Sequence, residues 1–199
     1  MKPQTEKPSE QVMRFFTPEL YLRFNSENDR EADAASEAWD AAIVDYQKHL
    51  DAIRDKMPSQ VRRLSELCLH DAEFLAFHQE IEPIFPSLPE PFGPCPYWSA
   101  LGILSLRQEG RLVSLIYLLW DKMRERDAKA NWPFSKARKH WLFDEIDVSP
   151  NHRGMFLHRI LFSDGRTIEI PFVSVFTHEL QMLFSDPPAP RRAAAASSF

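Results

Sequence analysis

Cysteine and glycine are scarce in this chain: two cysteines and five glycines in 199 residues. Cys68 and Cys95 form neither a disulfide framework nor metal-ligand spacing, which excludes a stapled secreted scaffold and a small zinc domain. There is no glycine-rich phosphate loop and no G-x-S-x-G elbow, so those phosphate-binding and hydrolase signatures are excluded too. No apolar signal-peptide core stands near the N-terminus. The longest apolar run, 112–120, is interrupted by Ser114 and is too short to span a bilayer. Positive charge is in deficit, with a formal net charge of −5, which argues against a general binder of nucleic acid or anionic membrane. The expectation is a cytoplasmic protein with reduced thiols, no cofactor, and neither nucleic acid nor membrane as partner.

Proline is abundant, with sixteen residues. Pro83, Pro86, Pro89, Pro91, Pro94 and Pro96 crowd one segment, where missing donors and fixed dihedrals exclude a regular element. The segment reads as a stiff surface connector. Residues 1–14 read as a disordered extension, 15–184 as one domain and 185–199 as a disordered tail.

Two stretches announce hairpins. In 155–172, a three-residue loop Ser163-Asp164-Gly165 with Gly165 left-handed sets Arg159 opposite Glu169, whereas a two-residue loop sets each charge opposite an aliphatic side chain. The first register is preferred. It puts Phe156, His158, Ile160, Phe162, Ile168, Ile170 and Phe172 on one face, expected to meet the helices, with His158 as a core histidine. In 101–120, a two-residue Glu109-Gly110 loop pairs Leu104 with Leu115, Ser105 with Ser114 and Leu106 with Val113. Leu112, Leu115, Ile116, Leu119 and Met123 also have helical spacing, and the glycine turn decides for strands. Residues 70–81 alternate as a strand does, although Phe74, Leu75 and His78 also continue a helical stripe, and the strand is preferred. Residues 141–148 read as a further strand, with Trp141, Phe143, Glu145 and Asp147 on one side. Residues 173–180 add a last strand or short helix, and the charged 121–130 a helical turn or loop.

Helices come first. Thr17 with Pro18 caps a short one, and Asn28 or Asp29 caps the longest, which runs to about Met57. Its stripe is Ala35, Trp39, Ile43, Tyr46, Leu50, Ile53 and Met57, read as an amphipathic face packed on the sheet rather than a coiled-coil seam. Pro58 restarts the chain into another short helix carrying Val61 and Leu64. Helices over about 17–69, then hairpin strands over about 71–180, make an α+β fold: N-terminal helices packed on a C-terminal antiparallel sheet.

Three pieces together, 13–21 (MRFFTPELY), 69–72 (LHDA) and 141–170, resemble a family of uncharacterised bacterial proteins, a domain of unknown function. The likeness covers most of 13–175. It implies an α+β fold and a bacterial cytoplasmic setting, supplies no activity or site residues, and suggests that such chains begin near Met13.

His70-Asp71 is the sharpest chemical pair. With His49 and a later carboxylate such as Asp121 it resembles a metal-dependent phosphohydrolase pattern, although helices follow the pair in that class and strands follow it here. A capping or turn role for Asp71, with His70 bonded to nearby backbone, is therefore the favoured reading of the pair. Glu145 and Asp147, with His140, His152, His158 and His178, would form an acid–base or metal set if the strands gathered them. Trp132, Phe134, Lys136, Arg138, Lys139, His140 and Trp141 interleave rings and cations as single-strand binders do, but the patch is short and the net charge negative, so a hydrophobic plug with a solvated basic side is the reading taken. No coherent catalytic set emerges. The expected function is non-catalytic, through contact with another protein or with itself, and the second reading is a metal-dependent hydrolase using His70 and Asp71.

Overall fold

A computed structural model describes residues 13–80, 100–129, 131–134, 138–150 and 154–181. The proline-rich loop, His152, residues 1–12 and the tail from 182 lie outside the described residues.

Helix α1 (Pro18–Phe24) begins where Thr17 accepts from the Leu20 amide. Helix α2 (Asp29–Ile53) begins where Asn28 accepts from the Glu31 amide, with Asp29 and Glu31 favourably placed at the positive end of the dipole. A short 3₁₀ turn, Arg54–Lys56, leads through Pro58 into α3 (Ser59–Ser65), which buries Val61 and Leu64. The strands are β1 (Glu73–Glu80), β2 (Ala100–Gln108), β3 (Arg111–Leu119), β4 (Arg124–Arg126), β5 (Trp141–Val148), β6 (Phe156–Phe162) and β7 (Thr167–Gln181). They form one antiparallel sheet in the order β1-β2-β3-β7-β6-β5, with β4 added beside β7. The α+β arrangement is the one expected.

Both hairpins hold the expected register. Leu104 faces Leu115, Ser105 faces Ser114 and Leu106 faces Val113. The loop residues Glu109 and Gly110 have φ of 48° and 76°, the left-handed pair that a type I′ turn demands. Arg159 faces Glu169, and Gly165 sits at φ 82°.

The sheet curls until its two edges meet. Glu73 bridges His140. Around that bridge the Asp71 amide donates to the Trp141 carbonyl at 2.9 Å, the Trp141 amide to Ala72 at 2.8 Å and the Phe74 amide to Lys139 at 2.7 Å. The sheet is therefore closed at this point, and the edge groups that would otherwise be unpaired are satisfied. Inside lies the main core, including Leu104, Leu115, Tyr117, Trp141, Ile160 and Phe172, with Val61 and Leu64 of α3 packed into it.

Four expectations are corrected. The inward face of the 155–172 hairpin meets α3 and only the C-terminal end of α2, at Leu50 and Ile53, whereas α1 and the rest of α2 lie on the opposite face against Leu142, Phe143 and Leu161. Strand β6 is thus buried on both sides, which is why its sequence does not alternate. A bulge at Leu142 turns Trp141 inward, to the side of Asp144 and Ile146, away from Phe143, Glu145 and Asp147. Ile43 is 48 % exposed, since the helix face that packs inward runs through Ala35, Trp39, Ala42 and Tyr46. Residues 124–126 form strand β4 rather than a helical turn, with Arg124 opposite Glu169 and paired to it at 3.3 Å. Two boundaries also move: Met13 is already buried, and 173–180 continues β7 without a break. Among the described residues no helix is long and apolar enough to cross a membrane.

Candidate functional site

His70 and Asp71 occupy the tight turn that leads into β1. Asp71 has φ 63°, a conformation that aspartate tolerates better than most residues. His70 Nδ1 lies 2.7 Å from the carbonyl oxygen of Leu142, so that nitrogen carries the proton and donates. Its Nε2 is 3.6 Å from Asp71 Oδ2. The Gln108 amide donates to the carbonyls of Cys68 at 3.1 Å and His70 at 3.3 Å, tying the turn to β2. These bonds are those of a chain reversal. Among the described residues no three His, Cys, Asp or Glu side chains gather so as to hold a metal ion. His49 lies elsewhere, 3.2 Å from Asp147, and Asp121 pairs with Arg124 at 3.0 Å.

The described members of the C-terminal acid and histidine set are not gathered. His140 lies at the bridge to Glu73, His178 is exposed on β7 and His152 lies outside the described residues, while His158 and the β5 carboxylates divide between two faces of the sheet. On the inner face, fully buried His158 sits between Tyr117, with Nδ1 2.8 Å from the hydroxyl, and Asp144, with Nε2 3.1 Å from Oδ2. Asp144 also accepts from Trp141 Nε1 at 3.0 Å. Sequence reading identified a core histidine but missed both partners: the bulge hid Asp144's direction, and Tyr117 lies on a strand that pairs with neither β5 nor β6. On the outer face, Glu145 is buried and accepts three backbone amides of the N-terminal segment: Arg14 at 2.8 Å, Phe15 at 2.6 Å and Phe16 at 2.7 Å. Beside it a ladder of alternating charge crosses the strands. Asp147 is 3.3 Å from Arg159, Arg159 is 2.9 Å from Glu169, and Glu169 is 3.3 Å from Arg124. The polar groups of β5 are thus occupied by structural bonds.

In the aromatic–basic segment the rings turn inward, Arg138 is exposed, and Lys136 lies outside the described residues. Trp132 is buried and donates from Nε1 to the Ser163 carbonyl at 2.9 Å, while Phe134 packs edge-on against Tyr21. The expected solvated basic side fails at Lys139, whose side chain is only 11 % exposed. Its ammonium lies over two rings, 4.2 Å from the centroid of Phe162 and 4.5 Å from that of Phe74. Burial, then the neighbouring Arg166 charge, lowers its proton affinity below the usual lysine value. Lys139 forms one wall of a cleft of about 220 Å³ among β1, β4 and β7, with Phe74, Phe77, Met123 and Ile168 as the apolar walls and Glu125 and Arg166 at the rim. A larger and more enclosed cavity of about 550 Å³ is lined by Asp55, Lys56, Val148, Gly154 and Phe156.

The outer face of β2, β3 and the C-terminal half of β7 has a different character. Register places Ile103, Ile116 and Phe176 in one row, Leu101, Leu118 and Ser174 in the next, and Leu112 beside Leu180. Phe176 is 61 % and Leu180 51 % exposed. Neither a scan against protein-family models nor a search of curated proteins finds a match to this chain.

Proposed function

We propose that this chain is a non-catalytic cytoplasmic protein that works by contact with another protein chain, and that the outer face of β2, β3 and β7 is the contact surface. The exposure of Phe176, in a row with Ile116 and Ile103, is the observation that carries this reading. A contiguous apolar strip on a sheet face, rimmed by charge, is the composition of an interface rather than of ordinary surface. The groups best suited to chemistry support a non-catalytic role, since Glu145 and His158 are spent on internal hydrogen bonds. The exposed free thiol of Cys68 suits a reducing compartment.

The partner we assign is a second copy of the chain. The strip's rim carries both signs, Arg107 paired with Glu73 at 3.2 Å and Glu80 further along β1, so a two-fold arrangement can set Arg107 of one copy beside Glu80 of the other. Sedimentation equilibrium of the full chain tests this. A dimer that Phe176→Glu converts to monomer, with an unchanged circular dichroism spectrum, supports the reading. A chain that is monomeric at every concentration overturns it, as does a dimer indifferent to Phe176→Glu.

A further inference from the structure

We propose that the cleft among β1, β4 and β7 binds a small amphipathic carboxylate, with its head on Lys139 and Arg166 and its apolar body against Phe74, Phe77, Met123 and Ile168. The site is independent of the sheet-face contact.

The protein shows what the cleft accepts. One oxygen of Glu125 is shared between the two cations, 3.1 Å from Arg166 Nη1 and 3.5 Å from Lys139 Nζ. That carboxylate occupies the position the ligand's head would take. Its hold is loose: the Lys139 contact is long, Glu125 lies on the three-residue exposed strand β4, and its own side chain is 38 % exposed. Lys139 brings three donors, and among the described residues its hydrogen-bonding contact is this single long one. Arg166 is anchored by Asp164 at 2.7 Å through Nε, which aims its guanidinium at the cleft. The ammonium is held between two rings and cannot wander into solvent. Convergent cations at the mouth of an apolar cleft, one of them with a shifted proton affinity, are the usual makeup of a small-molecule site. The volume lies below the roughly 300–1,000 Å³ of drug-sized sites, which restricts the ligand to a short-chain or single-ring acid.

Calorimetric titration of the full chain with hexanoate and benzoate tests the proposal, with benzyl alcohol and inorganic phosphate as probes of body and head alone. At least one carboxylate is expected to bind, and each partial probe to bind about tenfold more weakly or not at all. Lys139→Met should weaken the carboxylate by about tenfold or more. Glu125→Gln should strengthen it, because the internal competitor loses its charge; a merely structural role for these residues would not produce that gain. Failure of both carboxylates to bind overturns the proposal. So does equal binding of benzyl alcohol or phosphate, indifference to Lys139→Met, or no gain from Glu125→Gln.

Discussion

Inside the closed sheet, the Tyr117 hydroxyl and His158 Nδ1 meet at 2.8 Å, and the other ring nitrogen points at Asp144. A carboxylate only accepts, so Nε2 carries the imidazole proton, Nδ1 accepts, and Tyr117 donates. The chain from Tyr117 through His158 to Asp144 spans β3, β6 and β5 and satisfies a histidine that the core would otherwise exclude.

Tyr117→Phe removes the donor while keeping the ring and its edge-on contact with Phe172. It leaves Nδ1 buried and unpaired, and is expected to cost about 1–3 kcal/mol. Urea unfolding measures the loss.

Glu145→Ala is expected to be more damaging, because three backbone amides lose a charged acceptor at once. The loss should reach about 3 kcal/mol or more. Limited proteolysis should cut first around residues 13–16, before the sheet yields.

The two loop glycines should respond unequally to alanine. Both need positive φ, which costs a side chain about 1–2 kcal/mol. At Gly110 a Cβ meets nothing, whereas at Gly165 it would collide with the indole of Trp132. Gly165→Ala should therefore cost about 1–3 kcal/mol more than Gly110→Ala. Paired thermal melts decide this.

Legibility in the sequence followed the range of the interaction. Thr17 and Asn28 cap helices through amides three residues away, and Glu109-Gly110 and Ser163–Gly165 set hairpin registers locally, so these were readable. Closure of the sheet was not, because Ala72 pairs with Trp141 across most of the domain and no local pattern marks it. The bulge at Leu142 defeated the alternation rule and concealed the Asp144–His158 pair. Strand β4 reads as a charged loop until Glu169 of β7 lies beside Arg124. The cleft joins side chains from segments far apart in sequence, and only the closed sheet brings Phe74, Glu125, Lys139 and Arg166 together.

Alkaline pH should unfold the protein through two tyrosines. Burial first, then the Asp144 charge, raises both Tyr46 and Tyr117 above the ordinary tyrosine value of 10.0. Folded, they hold protons that the unfolded chain gives up. Their contribution is therefore complete below that value and is lost as pH rises past it. Tyrosinate absorbance from both should appear only together with unfolding. Tyr46→Phe should flatten the fall in stability above pH 10.0.

The claim that the outer sheet face is a contact surface is tested most directly by hydroxyl-radical footprinting of the full chain across a dilution series. Phe24, exposed on α1, serves as the internal reference. Labelling of Phe176 and Leu180 relative to Phe24 is expected to be suppressed in concentrated protein and to rise on dilution. Equal relative labelling of Phe176 at every concentration would contradict the claim.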